Sequence, residues 1–275
     1  MTATLPMTTD INTPYQLSEA QIAQFRRDGY IKLKDVFTEA ELEHYRHEIT
    51  RMVKELNQDD TPLEQRGTYG KSFLQISNLW QHSEVVKEFA FGQRIARIAT
   101  ELMGTKGVRM YHDQALYKEA GGGYTPWHVD QVYWPLSNEN TVTAWIPLHA
   151  VPLDNGPLSF SVGSQTIKEN RDLTISDESE KLIDAQMKLS DFDIDESPFD
   201  LGEVSFHYGY NFHRAGPNKL DVPREVMTVI YMDSEMRLAE PKSVQQASDW
   251  NSWCKGAKVG EVIDTPTNPI LYEIE

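Results

Sequence analysis

The sequence predicts an α+β domain. Capped helical stretches occupy roughly the first hundred residues, and from Val108 onward the chain turns into short β segments separated by Gly, Pro, Asn and Asp. A length of 275 residues is enough to bury a core as one domain, which sets the expected organisation at residues 1–275 in a single unit.

Residues 1–16 are rich in Thr and Pro and lack periodicity, so they read as a loose tail or a strand laid over the surface. Ser18 with Gln21 and Thr38 with Glu41 are capping-box pairs, each opening a stretch of helical apolar spacing, and they predict helices near 18–29 and 38–57. A third helix is expected over 83–103, where Val85, Val86, Phe89, Ile95, Ile98, Ala99 and Leu102 recur at helical spacing before Gly104. Strands are expected at 108–118, 126–131, 141–149, 157–161, 202–207, 210–215 and 224–232. The acidic stretch 164–201, poor in strand formers and helical around 178–189, reads as an insertion of the kind that forms a lid or a solvated loop.

A formal net charge of -16 opposes binding to phosphate backbones and makes polyanionic substrates such as acyl-CoA less attractive than a neutral or cationic small molecule. No apolar run approaches the roughly 18 residues of a membrane helix. A single cysteine, Cys254, excludes an intrachain disulfide, and the opening MTATLPMTTDINTPYQ has neither the basic start nor the apolar segment of a signal peptide, so a cytoplasmic location is expected.

The sharpest chemical signal is His128-Val129-Asp130. On an extended chain, residues i and i+2 face the same side, so an imidazole and a carboxylate converge on one point. One more distant histidine would complete a two-His-one-carboxylate facial triad, which leaves coordination positions open and suits iron(II) oxygenases. Among eight histidines, His213 is preferred: it lies at a strand end before a turn, and Arg224 follows on the next strand, where its planar fork suits a carboxylate. His207, of the same strand parity, is the rival, separated from His213 by a turn at Tyr208-Gly209-Tyr210.

Trp127-His128-Val129-Asp130, His213, Asn218 and Arg224, preceded by Leu116-Tyr117-Lys118 and followed by Asn155-Gly156-Pro157-Leu158-Ser159-Phe160-Ser161, form an ordered set over about residues 18–235. It resembles the phytanoyl-CoA dioxygenase family of iron(II)- and 2-oxoglutarate-dependent enzymes. The resemblance implies a double-stranded β-helix core, flanked here by the N-terminal helices. It also implies that 2-oxoglutarate chelates the metal and pairs its far carboxylate with Arg224, with further contacts at Gln114 and Trp145 and a weaker candidate at Lys71. The implied reaction uses dioxygen and hydroxylates a small molecule, releasing succinate and CO2. Asp130 stands where related halogenases carry a small residue, which disfavours halogenation. The Val162-Gly163-Ser164-Gln165 turn departs from the family's Pro-Gly-Ser-His and leaves the lid less defined by the resemblance.

Other readings compete. A non-catalytic metal-binding barrel acting as a sensor and a cupin-like zinc hydrolase can use the same ligands. Glu41-x-x-His44 matches half of a di-iron motif but has no second half in a β-rich chain. His44 and His47 read as solvated helix residues, His112 and His149 as hydrogen-bonded structural ones, and His82 is uninformative. Tyr133 and Trp134 fit either packing or a substrate pocket, and Gly121-Gly122-Gly123 fits a loop at the site mouth.

Overall fold

The computed structural model describes residues 10–274. In chain order its longer elements are α1 (Glu19–Asp28), β1 (Tyr30–Leu33), α2 (Glu39–Leu56), α3 (Thr68–Ser72), β2 (Leu74–Ser77), α4 (Glu84–Ala90), α5 (Gln93–Met103) and β3 (Gly107–Tyr117). These are followed by β4 (Thr125–His128), β5 (Thr141–Pro147), β6 (Leu158–Ser161), α6 (Asp177–Ser190), β7 (Ile194–Asp195), β8 (Val204–Tyr208), β9 (His213–Ala215), β10 (Val226–Asp233), α7 (Val244–Trp253) and β11 (Ile270–Glu273).

Both predicted capping boxes form. Ser18 and Thr38 accept from the backbone N–H groups of Gln21 and Glu41, whose side chains reach back to the cap. Glu41 also receives a buried bidentate contact from Arg94, with the closer oxygen at 2.9 Å, so its helix position serves an ion pair.

The helix expected over 83–103 is two helices, broken at Phe91-Gly92. A Cβ on Gly92 would meet Ile11 Cδ1 at 3.0 Å and the Phe89 carbonyl at 3.2 Å, so the break makes room for the incoming N-terminal segment. That segment corrects the expected loose tail: Ile11 is buried, its carbonyl accepts from the Arg94 N–H, and the Arg94 guanidinium donates to the carbonyls of Asp10 and Thr13. The part of the expected tail at residues 1–9 lies outside the described residues.

The strands form two antiparallel sheets, as the double-stranded β-helix requires: a large one in the order β1-β8-β5-β10-β3-β11, with β2 also on β3, and a small one in the order β4-β9-β6-β7. Strand alternation divides the large sheet's residues between two jobs. Val142, Ala144 and Ile146 of β5 and Met227 and Val229 of β10 face the helices and join Leu42, Tyr45, Ile49, Phe89, Ile98 and Leu102 in the main core. Their neighbours Thr143, Trp145, Thr228 and Ile230 face the space between the sheets. Along β3 this alternation changes phase at a bulge opposite Ile230/Tyr231, which turns His112, Gln114 and Leu116 inward while Met110 and Ala115 stay in the helix-side core.

The predicted strand over 126–131 stops at His128, and Asp130 opens a short 3-10 turn, Asp130–Tyr133. Val129 between them remains extended, at φ -121° and ψ 143°, so both side chains still face one side. Within 164–201, α6 lies across β4, with Ile183 and Met187 buried against Trp127 and Val129. Among the described residues no helix is long and apolar enough to cross a membrane.

Candidate active site

The space between the sheets holds a cavity of about 310 Å³. His128 of β4 and His213 of β9 are direct cross-strand partners on the small sheet, with ring centroids 4.1 Å apart. Asp130 reaches in from the adjoining turn, and its Oδ1 lies 3.7 Å from His128 Nε2 and 3.5 Å from His213 Nε2. One donor atom from each of the three residues fits within a 4.8 Å span.

The orientation of these groups suits a metal. His128 Nδ1 lies 2.8 Å from the Pro126 carbonyl and His213 Nδ1 3.0 Å from the Asn211 carbonyl, so each Nδ1–H donates to backbone and each Nε2 lone pair faces Asp130. Burial pushes both histidines down to about 4, aided at His128 by the neighbouring His213, so both are neutral at pH 7. Burial opposes ionisation of Asp130, but the surrounding His213, His207 and His128 outweigh it and hold the carboxyl below its usual range. Neutral imidazoles and an ionised carboxylate are the forms that bind a divalent cation.

His207 belongs to β8 of the opposite sheet. Its Nε2 lies 3.2 Å from Asp130 Oδ2, which also accepts from Thr143 Oγ1 at 2.9 Å. The carboxylate is thereby divided: Oδ2 is tied to the large sheet and Oδ1 faces the two histidines of the small one. His207 meets Oδ2, whereas His213 and His128 both face Oδ1.

Arg224 lies toward another part of the same cavity, 1% exposed. Its guanidinium carbon is 5.3 Å from the Trp145 ring centroid, Nη1 donates to the Gly156 carbonyl, and Nε has no hydrogen-bond partner. Lys118, fully buried, pairs with Arg224 across a β-bridge and donates to the Gly123 carbonyl. Among the described residues neither cation has a carboxylate partner, an arrangement that costs free energy until an anion enters. Burial, the larger cause, and then Arg224 push Lys118 down to about 6, and burial pushes Arg224 down to about 9. A carboxylate entering the cavity at this end would meet the Arg224 guanidinium.

Gln114 lines the cavity and accepts from Gln75 Nε2 at 2.5 Å, and Trp145 lines it beside Arg224. Lys71 is absent from the wall; its carbonyl accepts from Gly123 N–H, so it anchors the loop that Lys118 grips. Tyr133 and Trp134 are both in the wall. His149 is structural, its Nε2 accepting from the Glu225 N–H at 3.0 Å. Sequence reasoning did not assign roles to Lys118, quoted only within a motif, to His207 as a support, or to Asp249 and Trp253 of α7, which close one side of the cavity. For Lys118 the signal was a charged residue in an otherwise apolar strand end.

Fold and site together define an iron- and 2-oxoglutarate-dependent oxygenase. Comparison with known proteins agrees: the profile of the phytanoyl-CoA dioxygenase family, PhyH, matches residues 25–226, and this chain belongs to that family. No curated protein matches it by sequence. Among solved structures, it is similar to the non-heme alpha ketoglutarate dependent carbocyclase SnoK from nogalamycin biosynthesis, at TM-score 0.76 and 23% identity over 94% of this chain and 98% of that one. It is similar also to the epimerase SnoN in complex with Fe3+, alpha ketoglutarate and nogalamycin RO, at 0.77 and 23% over 92% and 98%. A third likeness is to EctD from S. alaskensis with 2-oxoglutarate and 5-hydroxyectoine, at 0.70 and 23% over 92% and 89%.

Proposed function

We propose that this chain hydroxylates a small molecule, with His128, Asp130 and His213 as the iron(II) ligands and Arg224 as the holder of the far carboxylate of 2-oxoglutarate. The observation that carries this reading is the pairing, in one cavity, of three converging ligand groups with a buried guanidinium that lacks a carboxylate partner. Bound there, iron(II) supplies the coupling of dioxygen and 2-oxoglutarate to oxidation of a substrate C–H bond, yielding alcohol, succinate and CO2.

The chain's own residues do the positioning. Thr143 and His207 fix the Asp130 carboxylate, and the Pro126 and Asn211 carbonyls fix the imidazoles. Trp145 flanks Arg224, while Lys118 adds positive potential at the same end and Gln114 offers a polar contact along β3. The 164–201 segment serves as the lid: Ile175 lines the cavity, its N–H donates to Tyr133 Oη at 2.9 Å, and Glu180 accepts from the Trp127 N–H beside the first ligand. It keeps water from the reacting centre. The single cysteine, buried Cys254, fits the expected cytoplasmic setting.

The test is succinate formation by purified protein given iron(II), ascorbate, 2-oxoglutarate and a substrate panel, with and without dioxygen. Succinate that requires oxygen and iron, with a product heavier by one oxygen atom, supports the hydroxylase. Oxygen-dependent succinate with an isomerised or ring-closed product keeps the oxygenase and overturns hydroxylation. Turnover without oxygen would favour the zinc hydrolase, and tight metal binding without any turnover the sensor.

A further inference from the structure

The charged groups in and beside the cavity wall occupy distinct regions. Lys118 follows the C-terminal end of β3 and pairs with Arg224. Six residues back along the chain, about 20 Å at strand rise, His112 packs against Trp253 of α7 with centroids 4.6 Å apart. Asp249, one helical turn before Trp253, lines the cavity at that opposite end and is half-buried. Helix α7 is fixed over the metal side by Gln246 Nε2, which donates to the Val132 carbonyl at 3.0 Å in the turn that begins at Asp130.

Asp249 is the acidic group of this wall that lies apart from the metal ligands and from Arg224. With a divalent metal against Asp130, and a dicarboxylate against Lys118 and Arg224, each of those groups has an opposite charge nearby. Asp249 does not: no Lys, Arg or His forms an ion pair with it among the described residues, and the groups that act on it are the neutral donors Trp253 and Tyr111. Burial pushes its carboxyl up to about 7, with only those neighbours opposing the shift. Around it the wall is aromatic, with Tyr69, Tyr133, Trp134 and Trp253. Aromatic rings beside a carboxylate that lacks a cationic partner suit an organic cation, through cation–π attraction and one charge-assisted contact. The chain's net charge of -16 draws cations toward the protein as well.

We infer that the primary substrate is a small organic cation, a protonated amine or quaternary ammonium compound, whose charged group sits against Asp249 within the aromatic wall while its reacting carbon faces the metal. This rests on the oxygenase reading for the occupancy of the other end. Asp249 lies beyond the family-matched residues 25–226, so the residue that selects substrate is supplied by the chain's own C-terminal helix. Co-substrate takes part of a cavity of about 310 Å³, which confines the substrate to a compact molecule.

The test uses matched probes of equal shape, choline against 3,3-dimethylbutanol and phenethylamine against 2-phenylethanol. Each is titrated under nitrogen into iron- and 2-oxoglutarate-loaded protein, with binding read by calorimetry and by quenching of tryptophan fluorescence. At least one cation binds tenfold or more tightly than its neutral partner. Asp249→Asn, which keeps the side-chain shape, removes that preference, and Asp249→Lys reverses it toward 3,3-dimethylbutanoate. Equal binding within both pairs, no binding by either cation, or a preference that survives in Asp249→Asn overturns the inference. Titration of 2-oxoglutarate alone into the same protein tests the other reading separately. Failure there removes the oxygenase, whereas normal 2-oxoglutarate binding without cation preference removes only the substrate class.

Discussion

The two oxygens of Asp130 have separate partners, and the variants at this site follow from that division. His128→Ala and His213→Ala each remove a proposed ligand, so iron(II) or cobalt(II) is no longer retained through gel filtration. His207→Ala leaves all three ligands and removes one hold on Oδ2, so it weakens metal binding by about 10–100-fold. Competitive chelator titration measures both; equal loss in the His207 and His213 variants would reassign the third ligand. Protonation gives a second prediction. His128 and His213, pushed down to about 4, are already neutral at pH 7, and Asp130, held below its usual range, is already ionised. Metal uptake at pH 7 therefore releases almost no protons, and calorimetric enthalpies agree across buffers of different ionisation heat. As pH falls toward 4 the imidazoles protonate and uptake fails. Release of about one proton per metal at pH 7 would contradict this.

At the scale of elements, the meeting of β3 with the chain entering β10 brings Lys118 and Arg224 together. Burial and Arg224 hold Lys118 down at about 6, so charging both groups costs free energy in the empty protein and a nearby dicarboxylate offsets that cost; stability and binding should move in opposite directions on neutralisation. Lys118→Met, close in shape, raises the thermal midpoint of the ligand-free protein by a few degrees, about 1 kcal/mol, and weakens 2-oxoglutarate binding roughly tenfold by the loss of a chargeable group beside Arg224. A midpoint that falls in this variant would show Lys118 to be a net stabiliser. The turn before β6 supports the same end of the cavity: Gly156 has φ +70°, and a Cβ there would lie 2.3 Å from the Gly216 carbonyl. Gly156→Ala displaces the carbonyl that accepts from Arg224, so both the thermal midpoint and 2-oxoglutarate affinity decline, as differential scanning calorimetry and calorimetric titration will show.

Across the whole molecule, what was legible in the sequence follows the range of the interactions involved. Ser18/Gln21 and Thr38/Glu41 announce helix starts because a capping box is closed within four residues. His128 and Asp130 were legible because one extended residue between them fixes their common direction, even though the strand ends there. Arg224 was legible by its spacing from His213. Long-range facts were not. Only the β-bulge opposite Ile230/Tyr231 shows that Met110 leaves the inner face that His112 and Gln114 share, and only the assembled sheets show that His207 meets Asp130 from the other side. The break at Gly92 depends on Ile11, more than eighty positions away. Helix α7 escaped notice because it has no fully buried residue and no apolar stripe, and with it went Asp249. The strands β1, β2, β7 and β11 are short, and partners remote in sequence define them.

We propose that one cavity holds a metal at His128, Asp130 and His213 and a dicarboxylate spanning from it to Arg224. It is tested most directly by titrating 2-oxoglutarate into the iron-loaded protein under nitrogen, beside the metal-free protein, His213→Ala and Arg224→Ala. We predict one site per chain that needs the metal, is lost in His213→Ala and is weakened at least thirtyfold in Arg224→Ala, consistent with the roughly 2–5 kcal/mol of a truncated buried charge pair. Binding that is indifferent to the metal, or unchanged in Arg224→Ala, would contradict the account.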